Sequence, residues 1–515
     1  MCPSPQGIEC FYNAPGLFRT KLKMAFQGII SLASLYILGL FLLLPALTTL
    51  MCALVLIQYL HKKYSRIPGP ERESFIWGNA KEFQRLQKHG KRKEEILREL
   101  SEKYGPVFVT WEIHKPEVTI TDLELVRNVM ASNFSKDRQV EEKMAILFGE
   151  RFLGDGFATS MDPNTTLRKR LVLDAGLNEK ALGSLMGGLE ECCDKFSQSL
   201  SEITDGKTAI DMEDFVKRMA LDIMGKVAFG IKINSIEDPN TPFYTALEES
   251  RSATHWALEH PLYQWDVTSF EYQNDVKEAV KFMRDYGKKV IDGRRVAMDD
   301  GEDVPCDVLD AMLKAADEHG DITLDDLLDD FITAIFIGQE QVSSVLTSVF
   351  LETSRHKGIQ EKLVEEFNSV LKQDRPTLQD LKSLKYCDLV IKETMRMHPP
   401  VPAVSYITSR VERIGRHCIP EGTKLQILPY IVHRDPEIWD QPDEFRPERF
   451  AECQDVAPPS YMPFVPAVQD CIGREFLDVS IKLLLTKLLP KFCFSQITID
   501  DGGIKCLLSN YEESN

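Results

Sequence analysis

Cys471 lies in the stretch Phe464-Val465-Pro466-Ala467-Val468-Gln469-Asp470-Cys471-Ile472-Gly473, with an aromatic residue seven places ahead of it. Behind it runs an apolar helical pattern from Phe476 to Leu489. This order sets one sulfur beneath a helix N-terminus, where the unpaired N–H groups of the first turn favour an anion. A thiolate is the form of cysteine that binds metal. Alone, a Cys-Ile-Gly is ordinary, because most lone cysteines serve as small buried hydrophobes. Two upstream pieces change the reading. Glu393-Thr394-Met395-Arg396 puts a carboxylate and a guanidinium three apart on one helix face, ahead of Pro399-Pro400. Pro447-Glu448-Arg449-Phe450 follows, about twenty residues before the cysteine.

The elements that must hold these residues are also readable. A long helix is predicted from Thr323, whose hydroxyl is a good N-cap, with Asp325 and Asp326 at the positive end of its dipole. It runs through Phe331-Ile332-Thr333-Ala334-Ile335-Phe336-Ile337-Gly338 to about Arg355 and is apolar nearly all round, so it should cross the interior. Gly338 costs it about 1 kcal/mol of propensity. Residues 107–111 and 117–120 alternate and carry β-branched side chains, which predicts two paired strands. Most of 123–371 reads as helix, with a charged, Gly/Pro-punctuated loop expected over 292–307.

Residues 28–57 form an uncharged run of thirty, long enough for a transmembrane helix, and a membrane helix tolerates a kink at Pro45. Arg19, Lys21 and Lys23 precede it and Lys62, Lys63 and Arg66 follow it, so charge asymmetry does not set its orientation. Ile67-Pro68-Gly69-Pro70 then ends the helix. The expected organisation is an N-terminal extension (1–27), the anchor (28–57), a Pro-containing hinge (58–70), one catalytic domain (71–500) and a tail (501–515). A formal charge of −18 argues against nucleic acid as a partner. The twelve cysteines lack paired metal-type spacing, which suits a reduced, cytosol-facing chain.

Cys471, Glu393-x-x-Arg396 and Pro447-Glu448-Arg449-Phe450, in this order, resemble the cytochrome P-450 family of haem-thiolate monooxygenases. The resemblance runs from about Ile67 to about Phe494. Tyr64-Ser65-Arg66-Ile67-Pro68-Gly69-Pro70, Lys103-Tyr104-Gly105-Pro106-Val107 and Phe148-Gly149-Glu150-Arg151 look closest to the animal cholesterol 24-hydroxylases. The resemblance implies a mainly α fold with small β-sheets behind an N-terminal transmembrane helix. It implies haem b with Cys471 as the axial ligand of the iron, Arg170 and Phe464 beside it, and Gly338 making room for oxygen. Glu340 and Gln341 then take the proton-delivery positions, and Glu393, Arg396 and Arg449 form a buried charge triad. An NADPH-dependent flavoprotein reductase, a lipid bilayer and an apolar, sterol-like substrate are the implied partners. The implied location is the endoplasmic reticulum membrane, single-pass, with the domain in the cytosol. The substrate pocket would draw on Met144, Leu147, Phe148, Phe331, Ala334, Ile335 and Val401 to Val404. A basic face for the reductase would draw on Arg168, Lys169, Arg474, Lys482, Lys487 and Lys491.

The chain departs from the family pattern at several places. Gln341 stands where threonine is usual, and a carboxamide can hold a water but is no acid at neutral pH. Thr166, Tyr406 and Gln469 stand where the propionates usually meet an indole and two arginines. Losing a charge partner costs about 3–5 kcal/mol where the remaining ion stays buried. Ala467 replaces a turn glycine, and Asp470 adds a negative charge next to the sulfur, with Arg474 a candidate compensator. Two readings follow: a working monooxygenase, or a catalytically silent relative that binds a lipid or a protein.

Overall fold

The computed structural model describes residues 43–132, 134–137, 139–260, 269–373, 375–452, 460–464, 471–500 and 503–510. Its first element, α1 (Leu43–Lys63), is apolar enough to cross a membrane, and none of its most apolar window is buried against the body. The helix runs on to Lys63 rather than ending at Ile57, because nothing before Ile67-Pro68 breaks it. The part of the expected span before Leu43 lies outside the described residues.

Two short helices, α2 (Ala80–Lys88) and α3 (Lys93–Tyr104), lead to the strands β1 (Val107–Glu112) and β2 (Lys115–Ile120). These pair antiparallel from Val107↔Ile120 to Glu112↔Lys115, as their alternation predicted. The hinge lies along this hairpin: Val109 N–H donates to the Pro68 carbonyl at 2.8 Å. A Cβ on Gly69 would fall 2.1 Å from the Val109 carbonyl oxygen, so only glycine permits that approach. Next come α4 (Leu123–Ala131), β3 (Ser135–Lys136), α5 (Gln139–Ala145) and the hairpin β4 (Ile146–Leu147) and β5 (Glu150–Arg151).

The helical body follows as α6 (Pro163–Leu177), α7 (Glu179–Ile203), β6 (Ala209–Asp211), α8 (Met212–Ile223) and a π-helical turn, Met224–Ala228. After it come α9 (Pro242–Glu259), α10 (Phe270–Asp299), α11 (Val308–His319) and α12 (Leu324–Arg355). Thr323 caps α12 through a reciprocal box with Asp326, and the helix ends at Arg355, both as expected. The expected loop over 292–307 is shorter. Residues up to Asp299 are helical, because Arg294 reaches Asp307 at 2.9 Å and the Phe229 carbonyl at 3.0 Å, pinning the last turns of α10 to the body.

The remainder is α13 (Lys357–Val370), α14 (Leu378–Lys382), α15 (Lys385–Met397), β7 (Val404–Ile407), β8 (Glu412–Ile414), β9 (His417–Ile419) and β10 (Lys424–Ile427). Short turns α16 (Pro429–Val432) and α17 (Arg449–Glu452) precede α18 (Arg474–Leu488) and the hairpin β11 (Phe492–Asp500) and β12 (Gly503–Asn510). One sheet has the order β1-β2-β10-β7-β3, with β10 parallel to β2, and a second has the order β11-β12-β6. The main core surrounds α12 and takes in Phe331, Ile332, Ile335, Val345 and Leu346, with Leu484 and Leu485 of α18. A separate apolar cluster fills the first sheet. The polar start of α12 enters this core because Asp329, fully buried, binds Arg151 at 2.6 Å, Arg284 at 2.8 Å and the Asp155 N–H at 2.8 Å.

Candidate active site

The charge triad is complete. Glu393 and Arg396, both fully buried on α15, meet at 2.8 and 2.9 Å. Arg449 Nε donates to Glu393 Oε1 at 3.0 Å, and the Arg446 N–H to the same oxygen at 2.9 Å. The two guanidiniums spend their remaining donors on carbonyls: Arg396 on His433, Pro442 and Glu444, Arg449 on Asp440, Gln441 and Glu444. His433, buried beside this frame, is held neutral. Its Nε2 accepts the Met462 N–H at 2.9 Å, so its Nδ1 carries the proton given to the Arg396 carbonyl at 3.0 Å. Burial, aided by the charges of Arg396 and Arg434, pushes its pKa down to about 3. This frame ties α15 to the segment that leads towards Cys471.

Cys471 is half-buried and stands just ahead of α18; its carbonyl accepts the Arg474 N–H at 3.2 Å, opening the first turn. Arg170, half-buried on α6, lies within electrostatic reach of this sulfur. Burial pulls the Arg170 guanidinium below its ordinary pKa, and a Cys471 thiolate opposes that shift. Thr166, one turn earlier on α6, donates to the Ser160 carbonyl at 3.4 Å. Phe464 is half-buried against the main core and lines a cleft of about 410 Å³ with Met395, Tyr461 and Arg474. Tyr406 is buried in β7 within the apolar cluster of the first sheet. Ala467, Gln469 and Asp470 lie outside the described residues. The donor set suits haem: one sulfur at a helix N-terminus with a cation nearby. Among the described residues there is no cluster of His, Cys, Asp and Glu able to hold a metal ion by itself.

On α12 the structure decides what the pattern left open. A Cβ on Gly338 would come 2.5 Å from Met224 Cε, so this glycine lets α12 pack against the π-helical turn. Glu340 is not an open acid: its Oε2 is paired with Arg251 Nη1 of α9 at 3.1 Å. Arg251, 8% exposed, also donates to Gln339 and covers the Phe336 ring at 4.8 Å. Nothing in the sequence pointed to Arg251, which lies some ninety residues upstream in no motif. The Gln341 side-chain oxygen is buried without a hydrogen-bond partner among the described residues. Phe331 meets Phe229 at 4.5 Å and Gly287, so it packs the core. Leu147, Ala334 and Ile335 are core as well, and Met144 is packed against it. Phe148 faces Trp256 and Tyr272 at 5.9 and 6.1 Å.

The basic face expected on the cysteine side is corrected. Lys169, 6% exposed, donates to the Asp155 carbonyl at 2.5 Å and pairs with Asp326 and Asp330 at 3.4 and 3.7 Å. Lys482, 4% exposed, pairs with Asp478 at 2.8 Å. Lys487 is bound to Asp194, Lys491 to Ser197 and Arg168 to Asp321. Lys169 and Lys482 turn inward because the acidic helices around them supply partners that periodicity does not reveal, while Lys491 stays exposed. Arg474 remains exposed. Neutralising Lys169 as K169M should therefore cost stability, about 3 kcal/mol for breaking a buried pair, read from the urea midpoint.

Burial also pushes the Asp330 carboxyl up to about 7, against the pull of Lys169 and the Phe157 N–H at 2.8 Å. The folded chain then holds a proton that the unfolded chain releases near its ordinary value of 3.8. Its contribution to stability is full below that value and is lost as pH rises through 7. His433 acts oppositely, weakening the fold as pH falls below 6.5. The difference between parent and D330N isolates the first effect: D330N should be the less pH-sensitive on the alkaline side, by on the order of 2–4 kcal/mol between about pH 4 and pH 8. Parallel urea midpoints for the two proteins would contradict this.

The sequence profile of the cytochrome P-450 family matches residues 68–502. The chain is 28% identical over 455 residues to cytochrome P-450 4d2 of Drosophila melanogaster, which spans 83% of this chain and 88% of that one. It is 25% identical over 485 residues to cytochrome P-450 3A29 of Sus scrofa (88% and 92%) and 27% identical over 415 residues to cytochrome P-450 3A5 of Homo sapiens (77% and 80%). None of these three is a cholesterol 24-hydroxylase, so they support the family and not the sterol assignment. With the profile spanning most of the chain, and with the Glu393–Arg396–Arg449 frame and Cys471 ahead of α18 in place, this protein belongs to the cytochrome P-450 family of monooxygenases.

Proposed function

We propose that this chain is a membrane-anchored haem-thiolate monooxygenase that hydroxylates a sterol-like lipid, in the manner of a cholesterol 24-hydroxylase. The observation that carries the reading is Cys471 at the N-terminus of α18 with the Arg170 cation nearby. Bound haem b would supply the oxygen chemistry, since thiolate ligation pushes electron density onto iron and favours O–O cleavage. Cys471 would hold the iron and Arg170 would face a propionate, while Phe464 would cover the sulfur's side with an apolar ring. Electrons come from an NADPH-dependent flavoprotein reductase, with exposed Arg474 available to steer it. An anchor of this kind in the endoplasmic reticulum membrane would keep the domain where an apolar substrate is dissolved, and α1 is apolar enough to serve. The deciding experiment is a reduced carbon monoxide difference spectrum, followed by a product assay on sterols. A folded chain that takes up no haem would end this reading.

One observation favours a weaker or silent enzyme. Glu340 is held by Arg251, and Gln341 carries no acidic proton, so neither side chain is a free proton donor on this face of α12. A Q341T substitution is expected to raise product formed per electron consumed by about tenfold, less than the hundredfold or more that a positioned proton-transfer group contributes to a rate. An unchanged ratio of product to NADPH oxidised would remove residue 341 from proton delivery.

A further inference from the structure

Where α1 meets the body, a cleft of about 400 Å³ opens between the helix base, the Pro-Gly hinge and β1, with His61, Tyr64, Glu71, Arg72 and Trp111 on its walls. Above it the helix presents Leu47, Leu50, Met51, Val55, Leu56 and Tyr59, each more than half exposed. Below them Lys62, Lys63 and Arg66 are exposed, so the cleft sits where an apolar span gives way to basic residues.

Trp111 organises the cleft. The His61 ring meets its edge at 4.7 Å, and the Arg72 guanidinium lies over its face at 5.0 Å. His61 is 8% exposed, and its Nε2 is buried with no hydrogen-bond partner among the described residues. A buried polar nitrogen of this kind calls for a partner. Arg72 makes no ion pair among the described residues, and the nearby Glu73 is engaged by Arg85 at 3.7 Å. Beside the cleft, Phe75, Ile76 and Trp77 are 41%, 47% and 46% exposed, and Phe75 lies 5.1 Å from the His61 ring. Three large apolar side chains in a row, with a tryptophan among them, are what the rim of a bilayer accepts.

We infer that this cleft binds the headgroup of an anionic phospholipid, with Arg72 and His61 Nε2 on the phosphate and Phe75, Ile76 and Trp77 against the acyl boundary. The guanidinium offers two parallel donors to phosphate oxygens, and His61 adds a third in the tautomer that protonates Nε2. Glu71 on the same wall disfavours a dianion, so the single charge of a phosphodiester suits the site. A free phosphate would leave the apolar rim uncovered, whereas a lipid covers it with its own chains. Lys62, Lys63 and Arg66 add attraction to an anionic leaflet. The bound headgroup would fix the angle at which the body leaves the membrane.

The test uses the full chain in lipid nanodiscs, with energy transfer from tryptophan to dansyl-labelled phosphatidylserine compared with dansyl-labelled phosphatidylcholine. The parent should prefer the serine lipid. R72Q should lose about fivefold of that preference, the worth of one cation at such a surface. H61F, which keeps both ring contacts, should lose part of it, and R85Q should lose none. Arg72 is exposed, so R72Q leaves the fold intact; circular dichroism checks H61F. An unchanged preference in R72Q overturns the site. An equal loss in R85Q reduces it to diffuse charge and overturns it too. In detergent, inorganic phosphate should fail to release the labelled lipid; release would assign the site to phosphate and overturn the lipid reading.

Discussion

An E393Q variant is expected to lose about 3–5 kcal/mol of stability, seen as a large drop in the urea midpoint. Glu393 is fully buried and takes donors from Arg396 Nε and Nη2, Arg449 Nε and the Arg446 N–H. A neutral amide cannot balance two guanidiniums, and it turns an NH2 group towards at least one of those donors. Arg396 is itself fully buried, out of reach of bulk solvent that could screen its charge. The comparison that gives the number meaning is Lys91 with Glu99, an ion pair at 2.5 Å whose side chains are 42% and 57% exposed. Removing Glu99 should cost less than about 1 kcal/mol, because solvent screens that pair. If E393Q cost no more than E99Q, the triad would not be holding α15 to the segment ahead of Cys471.

C471S is expected to abolish the thiolate-type Soret band and product formation while leaving the chain folded. Serine is similar in size, and the turn into α18 depends on the Cys471 carbonyl, not on its sulfur. The half-buried side chain contributes little to the main core, so the unfolding midpoint should move by less than about 1 kcal/mol. A hydroxyl at neutral pH does not ionise and is a poor replacement for an anionic sulfur at a helix N-terminus. Turnover at the parental rate would show that the iron ligand lies elsewhere.

The sequence reading succeeded where a local rule was strong. The start of α12 at Thr323 followed from one hydroxyl and two aspartates, and the β1–β2 pair from alternation. It missed where distant residues meet. The charge-rich stretch before residue 299 read as loop, yet Arg294 finds Asp307 and Phe229 and keeps it helical. Lys169 read as surface because lysines usually are, yet Asp326 and Asp330 of α12 draw it inward.

By itself the order of residues determined the family, an apolar N-terminal helix and the buried triad, and it singled out Cys471 among twelve cysteines as the candidate ligand. These are short-range signals, in which spacing along the chain equals position on a helix face or ahead of a helix end. Only the tertiary structure decided which charges are buried and what they meet: Glu340 bound to Arg251, His433 neutral beside Arg396 and Arg434, His61 and Arg72 gathered on Trp111. Burial and electrostatics depend on distances between segments far apart in sequence, and packing alone brings those segments together.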